Sequence, residues 1–361
     1  MASLSTISRA SAVRVVLAVV LAFTIFLIIA QRSTIQSYTE RLPKIAARPR
    51  PIPNIIHYTQ IQKTEQSELH FSFEAFLSLY AALRILKPEK IYIHTNFNES
   101  MLERAAQNGS KWTRMMLTTF KEVTVNQVKV AEQVNGMKIN NVEAKSDFVR
   151  WEQTYDKGGI YLDWDVHTLR DVKILREAGF QNVVGRQPDG PVNTGCFMSQ
   201  KRSAMADVMR REQYIVFDNS WGAHSVDLFN RVAERLAGSP GEVLIMEAQA
   251  FAPYNWLASD ADELMGPHDE APVPSFPQVN SVAQDPYERW NNQARSRDWE
   301  HDFSNSYFLH AFKYRGHEIK GYKGVTVKYI LERTSNFALA TWKTVQMGIE
   351  EGLFSPDDDE V

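Results

Sequence analysis

Among the charged residues of one run, VEAKSDFVRWEQTYDKGGIYLDWDV from Val142 to Val166, four have types and spacing that could do chemistry: Asp147, Arg150, Asp163 and Asp165. Asp163 and Asp165 flank Trp164 at the end of the short apolar stretch Ile160, Tyr161 and Leu162, which is of strand type. Strand alternation points both carboxylates to the same side. Two converging carboxylates are costly unless a cation or a ligand meets them. Their chemistry is therefore that of a metal-dependent phosphate site, and oxygen ligands of this kind suit Mn²⁺ or Mg²⁺ better than zinc. Asp147 and Arg150 are three apart and share a face if the segment is helical. Taken alone, that pair is an ordinary surface ion pair. The planar guanidinium of Arg150 also suits a phosphate or a sugar hydroxyl.

Several elements must position these groups. Val142 to Lys157 reads as a helix that Gly158 and Gly159 end at little steric cost. Ile52 to Gln60 is a proline-bounded strand, Phe71 to Leu86 has helical spacing up to Pro88, and Ile91 to Ile93 is a second strand. Strand, crossover helix and strand make the parallel unit of an α/β sheet. Further helices are expected over Asp171–Ala178, Ala204–Phe217, Ser225–Leu236 and Ser335–Phe354, and a strand at Val183 and Val184. The stretch Pro253 to Asn292 lacks a period and reads as a long loop. Ser355 to Val361 is acidic and expected to fray.

Composition narrows the class. With 361 residues, 44% hydrophobic and 23% charged, the chain has room for a large core. A formal net charge of −3 gives no support for nucleic-acid binding. The single cysteine, Cys196, excludes an intrachain disulfide and a cysteine-based zinc cluster. It reads as a buried spacer.

The N-terminal region reads as a tail (1–14), an apolar segment from Val15 to Ala30 bracketed by Arg14 and Arg32, and a basic, proline-bearing stem (31–51). The apolar segment sits near the lower end of the roughly 17–25 residues that span a bilayer, and Arg14 can snorkel. A cleaved signal peptide is the alternative, though Ile28 fits the small-x-small rule poorly. Arg32, Arg41, Lys44, Arg48 and Arg50 follow the segment, so charge alone would put the C-terminal part in the cytosol. The potential glycosylation sequons at Asn98 and Asn108 point the other way.

The register of Ser146, Asp147, Arg150, Gly158, Gly159, Tyr161, Asp163 and Asp165 resembles the signature of the DXD-containing glycosyltransferases, the sugar-binding-region family. That family includes initiating mannosyltransferases, α-1,4-galactosyltransferases and, more distantly, clostridial glucosylating toxins. The likeness runs loosely from about Ile52 to His310. It implies a GT-A-type α/β fold over 52–350, a mostly parallel central sheet flanked by helices, after one N-terminal transmembrane helix and before an acidic tail (351–361). It implies transfer of a hexose from UDP-hexose or GDP-mannose to a glycan, glycolipid or glycoprotein, with retention, by a type II Golgi membrane protein with a lumenal catalytic domain. Asp163, Asp165 and His310 would hold the metal. His57, Tyr58, Ser146, Asp147, Arg150, Tyr161 and Asp163 would line the donor, and Asn193 or Thr194 the acceptor side. Lys313 or Arg315 could neutralise phosphate, and Trp290 and Trp299 could stack on sugar. Where the family has a Gly-Pro turn, this chain has Gly222, Ala223 and His224. A catalytically silent sugar- or partner-binding relative is the alternative. A glycoside hydrolase using Asp163 and Asp165 as its acid pair is disfavoured, because groups two apart on a strand sit too close for the inverting arrangement.

Overall fold

The computed structural model describes residues 50–269, 297–312, 314 and 316–361, together with Val20, Leu21 and Thr24. It divides into two units, Met1–Pro49 and Arg50–Val361. In the first, the three described residues are helical. Most of the apolar segment 15–30, the stem to Pro49, Trp290, Lys313, Arg315 and most of the loop from Pro253 to Asn292 lie outside the described residues. Among the described residues, no helix is long and apolar enough to cross a membrane.

The second unit is built on a mostly parallel sheet. Its strands are β1 (Ile55–Gln60), β2 (Lys90–Thr95), β3 (Val123–Gln127), β6 (Gly159–Leu162), β8 (Asn182–Arg186), β9 (Val192–Ser199) and β10 (Val243–Met246), in the order β10-β8-β9-β6-β1-β2-β3. The expected crossover unit is present: β1 and β2 run parallel, joined by α1 (Phe73–Ala81) and the π-helical turn Ala82–Leu86. The Ser72 hydroxyl caps α1 by accepting from the Ala75 amide. Lys87, with φ 48°, closes the far end just before Pro88. β9 alone runs antiparallel to both its neighbours, β6 and β8. The tight link Gln187–Gly190 turns the chain straight back, which leaves no length for a parallel crossover.

Alternation along the strands sorts side chains into two cores. Ile160, Leu162, Cys196 and Met198 join the larger core with α1, Trp112 and Phe337. Tyr161 and Phe197 point to the other face, with Trp151, Met209 and Phe229. These last three come from α2 (Val142–Lys157), α3 (Ala204–Val216) and α4 (Val226–Ala237). The short strands β4 (Gln133–Val134) and β5 (Met137–Lys138) form a hairpin, and a separate two-stranded sheet pairs β7 (Val166–Thr168) with β11 (Phe308–His310), antiparallel.

Two expectations give way. The acidic tail does not fray: Phe354 is buried against Phe73, Phe76 and Trp112, and Asp358 meets Lys111 at 2.6 Å. Trp299 stacks on His268, with ring centroids 4.1 Å apart.

Candidate active site

The two acids are not on a strand. β6 ends at Leu162, and Asp163, Trp164 and Asp165 form a turn closed by the Val166 amide donating to the Asp163 carbonyl at 3.1 Å. Strand alternation therefore does not bring the carboxylates together; the turn does. It is pinned on both sides, since the Asp163 amide donates to the Gly195 carbonyl and the Ala311 amide to the Asp165 carbonyl, each at 2.8 Å. Trp164 anchors its apex by stacking on Tyr58 at 4.2 Å and donating its indole N–H to the Thr59 carbonyl.

Pairing of β7 with β11 carries His310 to the same place, opposite Val166. Asp163, Asp165 and His310 each present a ligand atom, all within 4.8 Å of one another. His310 Nε2 lies 3.3 Å from Asp165 Oδ1, and the Asn193 amide meets His310 Nδ1 at 2.8 Å. Asp163 and Asp165 keep 30% and 34% of their side chains exposed, so the cluster opens to solvent. Two carboxylates and one imidazole fit Mn²⁺ or Mg²⁺, with the remaining positions left to phosphate or water.

The space for this convergence comes from a residue that sequence reasoning missed. A Cβ on Gly195 would collide with the His310 ring and come within 2.9 Å of Asp163 Oδ2. Glycine stands there for room, not for backbone freedom. The only sequence signal was its place in the PVNTGCFMS stretch.

Behind the acids, Arg150 is 6% exposed and meets Asp147 Oδ1 at 3.0 Å and Asp163 Oδ1 at 3.3 Å. It also donates to the Thr194 carbonyl at 2.7 Å and lies over the Tyr161 ring at 4.4 Å. This is no surface ion pair: removing one partner from a buried charge cluster costs about 3–5 kcal/mol. Burial works against its charge, but Asp163, Tyr161 and Asp147 together raise its pKa. Arg150 therefore holds Asp163 from behind, rather than presenting its fork to phosphate. Asp147 also faces His224 Nε2 at 3.4 Å.

Tyr161 donates its one hydroxyl proton to Asp163 Oδ1 at 2.6 Å. Thr59 must then donate to Tyr161 at 2.9 Å, and Ser146 to Thr59, which fixes the direction of the chain. Burial raises the Asp163 pKa and the Asp165 charge adds to it, against the opposing pull of Arg150. Burial likewise pushes the Tyr161 hydroxyl and the Cys196 thiol well up, so both stay protonated.

Further assignments change. Tyr58 is fully buried, bonded to Ser78 and stacked on Trp164, and His57 is fully buried with both ring nitrogens engaged. Neither side chain is free to meet a donor. Asn193, 2% exposed, has its amide on His310 and its carbonyl on the Gly195 amide, so it orients a cluster ligand rather than greeting an acceptor. Thr194 contributes its carbonyl to Arg150.

Parts of the chain are similar to known proteins. Residues 75–185 match the family model described as glycosyltransferase sugar-binding region containing DXD motif. A curated relative, glucan organizing enzyme 1 of Cryptococcus neoformans var. grubii, is 24% identical over 234 residues, 60% of this chain. The match spans 58% of that relative's length. Among solved structures, the PaToxG glycosyltransferase aligns at TM-score 0.40 and 17% identity, covering 60% of this chain and 81% of that one. The apo-form glycosyltransferase GlyE of Streptococcus pneumoniae aligns at TM-score 0.42 and 10% identity, covering 84% and 65%.

Proposed function

We propose, from the match of residues 75–185 to the DXD-containing glycosyltransferase sugar-binding region, that the protein is a metal-dependent glycosyltransferase with a GT-A-type fold. It moves a hexose from UDP-hexose or GDP-mannose to a glycan, glycolipid or glycoprotein acceptor. The observation that carries this reading is the convergence of Asp163, Asp165 and His310 within 4.8 Å at a solvent-open turn.

Breaking the anomeric bond of a nucleotide sugar develops negative charge on the β-phosphate. A divalent cation held by Asp163, Asp165 and His310 would supply Lewis-acid stabilisation of that charge. Asp163 Oδ1 is committed to Arg150 and Tyr161, which leaves Oδ2 for a ligand or ribose hydroxyl. Arg150 compensates the clustered carboxylates without titrating. Ser146, half-buried at the end of the hydroxyl chain, would take a donor hydroxyl. Retention of configuration needs no dedicated general base, because the departing phosphate can take the acceptor proton; the resemblance supports it. The same resemblance, with the apolar segment 15–30, supports a type II anchor in the Golgi membrane and a lumenal catalytic unit.

The test is a screen of nucleotide sugars for Mn²⁺-dependent release of UDP or GDP. Asp165→Ala is expected to lower turnover by at least ~100-fold with the fold retained, the scale of losing a preorganised charge partner. Absence of cation-dependent release from every donor, with sugar binding intact, would instead identify a catalytically silent relative.

A further inference from the structure

On the α2 face of the sheet, a line of polar side chains runs from the helix surface to the start of β6. Lys157 Nζ donates to Gln153 Oε1 at 2.8 Å, and Asn126 Nδ2 lies 3.1 Å from the same oxygen. Asn126 Nδ2 also meets His94 Nδ1 at 2.9 Å. His94 Nε2 meets His57 Nδ1 at 2.9 Å, and His57 Nε2 meets the Gly158 carbonyl at 2.8 Å. The two imidazole planes are nearly parallel, with ring centroids 5.2 Å apart, and both rings are fully buried.

The direction of every bond follows from the ends. An ammonium can only donate, so Gln153 presents oxygen and Asn126 presents its NH₂. His94 Nδ1 then accepts, and His94 Nε2–H donates to His57 Nδ1. That leaves His57 Nε2–H for Gly158. The far end gives the same answer independently, because a carbonyl can only accept. Both imidazoles are therefore neutral and each is held in one tautomer. Burial agrees, depressing the His57 pKa to about 4 and that of His94 well below its ordinary value.

We infer that the line of Lys157, Gln153, Asn126, His94 and His57 is a positioning device for the cation cluster, an inference that rests on the transferase reading above. Gly158 and Gly159 have φ of 68° and 123°, a backbone that few side chains tolerate. They turn the end of α2 into β6, and His57 fixes the carbonyl between them. A Cβ on Gly159 would fall 3.0 Å from His57 Nε2, so the glycine also admits the ring. In the sheet His57 lies beside Tyr161, whose hydroxyl holds Asp163. The ring thus fixes the start of β6, the strand that leads into the turn bearing the acids.

Asn126→Asp tests this from β3, outside the cluster. A carboxylate can only accept, so His94 Nδ1 must take the hydrogen. Either the whole line reverses, setting a His57 lone pair against the Gly158 carbonyl, or the histidine pair gains a buried charge. Mn²⁺ affinity, measured by calorimetry without donor, is expected to fall by about 10-fold or more with the circular dichroism unchanged. His57→Gln, which keeps an N–H and an acceptor, is expected to bind better than His57→Leu. In the native protein, ¹⁵N shifts are expected to show both rings as neutral Nε2–H tautomers. Asn126→Asp that folds and binds Mn²⁺ as the native chain does, or a native His57 carrying its hydrogen on Nδ1, overturns the inference. If Asn126→Asp does not fold, the glutamine–leucine comparison and the ring shifts decide. A native protein that binds no Mn²⁺ sinks the transferase reading and this inference with it, whereas native binding that Asn126→Asp leaves unchanged overturns the inference alone.

Discussion

At the cation cluster, single atoms decide what can bind. Asp163, Asp165 and His310 supply donors, but Gly195 and Asn193 determine whether those donors meet. Gly195→Ala inserts a methyl group into the His310 ring and against Asp163, both tied by further bonds. Mn²⁺ binding is expected to be lost and donor turnover to fall by about 100-fold or more, with a cost in stability of about 1–3 kcal/mol from the overpacking; titration calorimetry, a nucleotide-release assay and chemical denaturation check these. Asn193→Ala leaves His310 in place but removes the partner of its Nδ1. A cation affinity about 10–100-fold weaker is expected, the usual cost of losing a group that orients a ligand.

Between elements, the junction of α2, β1 and β6 carries a pH dependence of stability. His57 has a folded pKa of about 4 against an ordinary 6.5, because burial disfavours the charged ring. His94 shifts in the same direction, from burial and then from His57 and Lys157. A depressed histidine pKa means that the unfolded chain binds protons more readily than the folded one. The stabilisation is therefore complete above about pH 6.5 and declines as pH falls toward 4. For His57 alone the loss approaches about 3 kcal/mol. Urea unfolding at pH 7 and at pH 5 is expected to show a lower midpoint at the acid value, and His57→Gln to flatten the difference.

Across the unit Arg50–Val361, the C-terminal segment closes the larger core instead of trailing from it. Phe354 packs edge-on against Phe73, Phe76, Tyr80 and Trp112, and the Trp112 indole donates to the Glu360 carbonyl. Phe354→Ala is expected to cost about 3–5 kcal/mol, read by chemical denaturation. Lys111→Ala, which breaks the partly exposed pair with Asp358, is expected to cost at most about 1 kcal/mol. Both sequon residues, Asn98 and Asn108, are exposed. Expression through a secretory pathway is expected to add endoglycosidase-sensitive mass that Ser100→Ala and Ser110→Ala reduce; none would appear if this unit faced the cytosol.

The local signals were strong where the chemistry is local in the chain. Helical spacing, Pro88, the paired glycines and the apolar strand runs placed α1, α2, β1, β2 and β6, because period and backbone tolerance are properties of neighbouring residues. The same run showed that Asp147, Arg150, Asp163 and Asp165 belong together, and the family register added His310. What sequence could not show were approaches between distant segments. Gly195 makes room for His310, Arg150 turns inward to Asp163, and His57 and Tyr58 are drawn into the sheet's interior. Tertiary contact alone also settled the bend of Asp163 to Asp165, a turn clamped between β9 and β11. A residue's type limits the bonds it can make, and packing chooses among them; that choice depends on atoms whose separation in the chain carries no trace of their distance in space.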